Sequence, residues 1–343
     1  MGFVARDLGV DLGTSNTQVY VRHKGIVINE PTIAVVESNN ERKIRAVGTD
    51  AKIMLGRTTT GIIAVRPLRE GVITDFDMTV SLIQYFVHKA IGSSYLVKPR
   101  LFLSYPCSIS PVERRAVVEA AKYAGSRKIY MVEKAFASAL GCGLPVFDAN
   151  GCMVVDVGGG TTDVAVISLG GIVISHSIRV GGVKMDEAII NFIKREFNIL
   201  IGDRTAEEVK LDLGKALPST SDERRARIRG RDIVTNLPRV TEINSSQIYR
   251  ALQEPCQAIF NAIKWVLERT PPELSADVMH NGIYLTGGSS LLYGLDQMIA
   301  SSLGIPVLLA RDPMDCAALG LGHVIENYDL LQQLGRTSFL KQI

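Results

Sequence analysis

Asp11-Leu12-Gly13-Thr14-Ser15-Asn16-Thr17, followed by the alternating Val19 and Val21 and then by Gly25-Ile26-Val27-Ile28, has a second copy 145 residues downstream. That copy is Asp156-Val157-Gly158-Gly159-Gly160-Thr161-Thr162, then Val164 and Val166, then Gly171-Ile172-Val173-Ile174. Each copy reads as strand, glycine-containing turn and strand, with β-branched residues on alternate positions and turn residues between them. A repeat at domain length suggests a duplicated α/β domain.

Helical patterns separate the strand clusters. Ser110-Pro111-Val112-Glu113 opens one with a Ser N-cap, Pro at the first helical position and Glu at the third, and Gly125 can close it. Thr205-Ala206-Glu207-Glu208 opens another by the same logic, running to Leu213 before Gly214. Further helices are expected over 79–91, 186–197, 246–267 and 290–303, with Pro255 bending or ending the third of these. Alternating strands and helices argue for an α/β architecture.

The chain has 343 residues, which suggests about two domains of ordinary size. Hydrophobic residues make up 46% and charged residues 21%, which excludes a disordered or collagen-like chain. With 38 Lys+Arg against 35 Asp+Glu, the net charge of +3 gives no basic surplus, so no nucleic-acid partner is expected. The mean hydropathy of +0.17 hints at surfaces buried against something else. Cys107, Cys142, Cys152, Cys256 and Cys316 are widely spaced, with no Cys-x-x-Cys pair, and read as free thiols in a reducing compartment. The N-terminus, Met1-Gly2-Phe3-Val4-Ala5-Arg6-Asp7, meets an acidic residue too early for a secretory signal, and no run is apolar enough to span a bilayer. The arginines between Ser219 and Arg231 read as a solvated, mobile surface loop, or as a contact for an acidic partner or anionic lipid.

The chemistry lies in the turns. Backbone N–H groups of small residues can approach a phosphate closely, and the Asp at the head of each turn would hold a divalent cation through its water shell. Two facing turns can clamp a phosphate chain from both sides. A third turn, Thr286-Gly287-Gly288-Ser289-Ser290, follows an apolar strand, and its backbone can pack against a base or ribose. Glu207 and Lys210 share a helix face and either reach the nucleoside or form an ordinary surface ion pair.

Assembled, these residues resemble the actin, sugar-kinase and DnaK-type chaperone superfamily, and within it the MreB/Mbl family of bacterial actins. The resemblance covers nearly the whole chain. Besides the two hairpins it rests on Asn29-Glu30-Pro31, on Arg66 to Ile73, on Arg204-Thr205-Ala206-Glu207, on Ile228-Arg229-Gly230-Arg231-Asp232, on Arg269 to Leu274 and on Pro313-Met314-Asp315-Cys316. It implies a duplicated actin-like ATPase fold with nucleotide in the interdomain cleft. The expected boundaries are 1–148 for domain I, with a subdomain at about 32–75, 149–320 for domain II, with a subdomain at about 182–250, and 321–343 returning to domain I.

The resemblance also implies ATP or ADP with Mg2+, and paired protofilaments formed by self-association. It further implies attachment to the inner face of the cytoplasmic membrane, and work with cell-wall synthesis and morphogenesis proteins. Asp11 and Asp156 are expected at the cation; Gly13, Thr14, Ser15, Asn16, Gly158, Gly159, Gly160 and Thr161 at the phosphates; and Gly182, Glu207, Lys210, Gly287, Gly288 and Ser289 towards the nucleoside. A kinase or phosphatase of the same fold is the rival reading, but it would need a carboxylate base facing an acceptor pocket, and no motif supplies one.

Three segments depart from the family pattern. Glu133-Lys134-Ala135 stands where relatives usually carry Glu-Glu-Pro, so Lys134 replaces the carboxylate that orients the attacking water. An ammonium cannot accept a proton, which removes general-base help of roughly 10²–10⁴ and leaves Thr161 as the surviving helper. Gly182-Val183-Lys184-Met185-Asp186 replaces Gly-Asp-Glu-Met-Asp and is expected to add positive charge near the phosphates, and the third turn reads Gly-Ser-Ser for Gly-Gly-Ala. Hydrolysis is therefore expected to be slow or absent, the alternative being that Glu133 or a chain of waters substitutes and hydrolysis is ordinary. Finally, Tyr95-Leu96-Val97, followed by Lys98 and Arg100, reads either as an apolar wedge for a lipid interface or as the start of the strand leading to Leu103, with Phe3 and Val4 as a weaker second anchor.

Overall fold

Apolar residues on alternate positions, Leu8, Val10 and Leu12 in Asp7–Leu12 and Val19 and Val21 in Asn16–Val21, make these strands an antiparallel hairpin, with Leu8 opposite Val21 and Leu12 opposite Thr17. Gly25–Pro31 extends it antiparallel, while Arg100–Tyr105 and then Lys128–Glu133 join the other side in parallel. The second repeat does the same. Cys152–Val157 pairs antiparallel with Thr162–Ser168, which pairs with Gly171–Ile178, and Ile283–Thr286 and Val307–Leu309 add in parallel. Both sheets thus run third-second-first-fourth-fifth, and this shared topology is the structural form of the sequence repeat. At the far edge of the first sheet Leu340–Gln342 pairs antiparallel with Lys128–Glu133. The computed structural model describes residues 7–39, 42–56, 60–92, 98–218, 223–337 and 339–342.

Two smaller sheets elaborate the halves. Ala34–Glu37, Ile44–Val47 and Ile62–Val65 form one, beside the helix Gly48–Met54. Ile199–Leu200, Arg225–Asp232 and Pro238–Asn244 form the other. The two halves meet through the helices Lys134–Gly141 and Cys316–Glu326. A Cβ at Gly141 or Gly320 would strike the carbonyl of Cys316 or Ala137, so only glycine lets these backbones approach so closely. Phe102, Phe136, Val154, Ile167 and Leu321 fill one apolar cluster that draws on both large sheets and both helices. Cys142 and Cys316 bring their sulfurs to 3.5 Å there as free thiols.

The capping box at Ser110 and Glu113 is present and starts the helix Pro111–Tyr123. Other boundaries differ from expectation. The helix expected to open at Thr205 begins at Asp203 behind Gly202, with no side-chain cap. The helix expected from 79 begins at Phe76 behind an Asp75 cap, and that expected from 186 begins at Gly182. Pro255 does not end Ser245–Leu267, which runs through it unbroken from an Asn244–Gln247 capping box. The expected helix 290–303 is instead a 3-10 turn, Gly288–Leu291, and a separate helix, Leu295–Leu303, behind Gly294 in the left-handed region.

The arginine-rich segment also needs correction. Arg225–Asp232 is a strand, not a loop, with Arg225, Arg227, Arg229 and Arg231 on its exposed face and Ile228 buried on the other. Its period of two was hidden by the density of charge. Residues 219–222 lie outside the described residues, as do Phe3, Val4, Tyr95, Leu96 and Val97. Among the described residues no helix is long and apolar enough to cross a membrane.

Candidate functional site: a cleft between two acidic hairpins

The two hairpin turns face each other across one cleft. A Cβ at Gly159 would collide with the Ser15 side chain and one at Gly160 with that of Thr14, so the absence of side chains lets the turns meet. The cleft measures about 450 Å³. Its walls include Asp11, Gly13, Thr14, Ser15, Asn16, Lys134, Asp156, Gly158, Gly159, Gly160, Thr161, Gly182, Glu207, Lys210, Gly287, Gly288 and Ser289. Every residue singled out for phosphate, cation, nucleoside or hydrolysis is therefore brought to the same place.

Both carboxylates are anchored at strand ends. Asp11 accepts a short hydrogen bond from Ser104 Oγ through Oδ1. Asp156 accepts through Oδ2 from Ser138 Oγ at 2.6 Å and from Thr286 Oγ1 at 3.0 Å. Asp156 Oδ1 is buried with no hydrogen-bond partner. Lys134, the first residue of the helix Lys134–Gly141, sends its ammonium between them, with Nζ 3.6 Å from Asp11 Oδ2 and 3.6 Å from Asp156 Oδ1. Burial pulls the Lys134 pKa down, but Asp11, Asp156 and Asp163 outweigh it and hold the ammonium firmly protonated. At an effective dielectric near 20, each attraction at this separation is worth about 4–5 kcal/mol before desolvation is subtracted.

This arrangement bears on the cation expected at Asp11 and Asp156. Two facing carboxylates with an unpartnered buried oxygen form a donor set that suits a hard divalent ion. The ammonium between them does not, because it already meets their charge and would repel a dication. As a set, the three residues do not fit a resident Mg2+. No group of three or more His, Cys, Asp or Glu side chains arranged for a metal occurs among the described residues.

Glu133, the carboxylate that remains at the helix start, faces elsewhere. Glu133 accepts from Tyr105 OH at 3.1 Å and pairs with Lys341 at 3.2 Å. Thr161 donates to Asp163 Oδ2 at 2.9 Å, while Cys107 N–H holds Asp163 Oδ1 at 2.8 Å. Burial pushes the Asp163 carboxyl up.

Glu207 and Lys210 line the cleft but are not an ion pair with one another. Glu207 pairs with Lys52 from the opposite half at 3.1 Å; Lys210 pairs with Asp186 at 2.8 Å and donates to Gly182 O at 3.0 Å. Ser289 donates to Gly158 O at 2.9 Å, which fastens the third turn to the second hairpin. Lys184 corrects another expectation. It lies in the neighbouring hollow, where Glu70 at 3.0 Å and Glu187 at 2.9 Å meet its charge, so it adds no free positive charge to the phosphate turns.

Sequence reasoning passed over two groups. Gly71, at φ 77°, donates to Thr14 Oγ1 at 3.0 Å from the hairpin tip of Leu68–Arg69 and Val72–Ile73. Its signal was Glu70-Gly71, a turn dipeptide inside a string quoted only for resemblance. Leu211, Leu291, Tyr293 and Met314 also line the cleft with exposed apolar side chains. They come from three separate segments and share no motif.

Fold and cleft together define an actin-like protein. Crystal structures of MreB 5 of Spiroplasma citri bound to AMPPNP and of MreB5 bound to ADP superpose with TM-scores of 0.90 and 0.87, at 34% and 33% identity, covering 97–98% of this chain and 98–99% of those chains. The chain belongs to the MreB/Mbl family, whose model, described as MreB/Mbl protein, matches residues 5–333. It is 47% identical to the cell shape-determining protein Mbl of Bacillus subtilis over 95% of this chain and 98% of that protein. It is 44% identical to the cell shape-determining protein MreB of Escherichia coli over 96% of each. A filament of MamK, at 21% identity and a TM-score of 0.78, shares the fold.

Proposed function

We propose that this chain is a cytoskeletal ATP-binding protein that determines cell shape, associates with itself into paired protofilaments at the inner face of the cytoplasmic membrane, serves cell-wall synthesis, and turns ATP over slowly or not at all. Its domains are read as 1–148 and 149–320, with 321–343 returning to the first. The solved Spiroplasma relatives carry ADP and AMPPNP, which supports a nucleotide here. The phosphates lie between 13–16 and 158–161, held by backbone N–H groups of small residues. The base lies towards Glu207, Lys210, Gly287 and Gly288, where Tyr293 and Met314 offer apolar surface. No step here runs through a metal.

The carrying observation for weak hydrolysis is Lys134. Its ammonium, locked between Asp11 and Asp156, has no lone pair to accept a proton from water, and Glu133 is turned to Tyr105 and Lys341. Positioning and charge stabilisation survive, so binding and polymer formation do not need the missing base. The test is phosphate release by the purified protein and by Lys134→Glu. The variant is expected to be faster by roughly 10²-fold or more. Equal rates would remove the assignment of slow turnover to this residue.

A further inference from the structure

We propose that the Lys134 ammonium takes the place of a divalent cation in this cleft, so that the chain binds a nucleoside triphosphate without magnesium. The inference rests on the nucleotide reading above and concerns what balances the charge there. A triphosphate entering between the hairpins approaches two buried carboxylates, Asp11 and Asp156, 7% and 1% exposed. Something positive must stand between carboxylates and phosphate for binding to be favourable. Lys134 Nζ is the positive group beside both carboxylates, 3.6 Å from Asp11 Oδ2 and 3.6 Å from Asp156 Oδ1.

Among the described residues the lysines beside the cleft are engaged elsewhere, and Arg224, which also lines it, is exposed rather than set between the two carboxylates. Lys210 is engaged by Asp186 and Gly182 O, Lys52 by Glu207, and Lys184 by Glu70 and Glu187. Lys134 is also held rather than tethered loosely. It is the first residue of its helix, its side chain is 14% exposed, and a Cβ at Gly158 would lie 3.6 Å from its Nζ. The serine and threonine hydroxyls on Asp11 and Asp156 fix the carboxylates against it. A dication arriving in the same space would face a like charge a few ångströms away and compete for oxygens already matched. The ammonium leaves the carboxylates with less than the charge a dication would bring, so triphosphate affinity is set by Lys134 together with the backbone donors of the turns.

Titration calorimetry of the full chain with ATP, in excess EDTA and in excess magnesium, tests this directly. The expected result is an affinity that changes by less than about threefold between the two conditions. Lys134→Glu and Lys134→Gln are expected to lose about tenfold or more in EDTA and to regain it with magnesium. Wild-type binding that falls about tenfold or more in EDTA would overturn the inference while leaving the nucleotide reading intact. Variants as indifferent to magnesium as the wild type would overturn the assignment to Lys134. Absence of binding in both conditions would overturn the nucleotide reading and this inference with it. The wild-type comparison requires no variant to fold.

Discussion

Lys134 is one residue whose charge, rather than its size, reorganises the cleft. Replacing it with Gln leaves Asp11 and Asp156 facing each other without compensation. Breaking a buried ion pair of this kind costs about 3–5 kcal/mol. Lys134→Gln should therefore melt well below the wild type in EDTA and recover on adding magnesium, while the wild type hardly responds; a variant as stable as the wild type in EDTA would mean the three groups do not act as a unit. Asp186 supplies a second test at this scale. Burial, against the pull of Lys210, pushes its carboxyl up to about 6. A carboxyl raised in the fold contributes stability that is complete below its unfolded value near 4 and declines as pH rises through the folded value. Melting temperature measured for the wild type relative to Asp186→Asn should fall between about pH 4 and pH 6. A relative rise over that interval would reverse the assignment. The departure at position 134 was plain in the sequence. Its position between the carboxylates was not, because Asp11 and Asp156 are brought together only by folding and no local spacing encodes the approach.

The hairpins and helices show why some elements were legible and others shifted. Val19 and Val21, like Val164 and Val166, are β-branched residues on alternate positions, and the glycine turns between strands are short, so both hairpins could be read directly. Helix starts were read too late where the first turn holds functional glycines or acids, as at Gly182 and Phe76. The capping signal misled at Thr205 because the cap lies three residues earlier, at Gly202, a tolerated N-cap that uses no side chain. A prediction specific to the hairpins follows from Gly159 and Ser15. Gly159→Ala forces its new methyl into Ser15 and should cost about 1–3 kcal/mol, as overpacking does. Adding Ser15→Gly should restore part of that loss, giving a coupling of about 0.5 kcal/mol or more in a denaturation double-mutant cycle. Simple additivity would show that the turns are not in contact. The arginine strand 225–232 was missed as a strand for a different reason. Its inner face is Ala226, Ile228, Gly230 and Asp232, with Ile228 the one large apolar side chain, too little to stand out among five arginines in the segment.

At the scale of the molecule, two similarly wound halves are joined by the glycine-tight crossing of Lys134–Gly141 with Cys316–Glu326, and the cleft lies between them. The duplication made this architecture readable, since the hairpin repeats at an offset of 145 residues and the third strand at 146. The crossing was not readable, because Gly141 and Gly320, each two residues before another glycine, carry no spacing that marks a helix contact. For assembly, sedimentation with and without ATP should carry the protein into the pellet in a nucleotide-dependent way, and a chain that stays in the supernatant under both conditions would contradict the filament proposal. For the membrane, a Tyr95/Leu96 double-Ser variant should pellet less with anionic liposomes than the wild type, and undiminished binding would remove that segment as the anchor. The account as a whole turns on one triphosphate gripped by both hairpins and left unhydrolysed. A crystal structure grown from ATP and magnesium tests this most directly. It should show an intact γ-phosphate between 13–16 and 158–161 beside Lys134, with no metal between Asp11 and Asp156; ADP in the cleft with a metal on those carboxylates would contradict it.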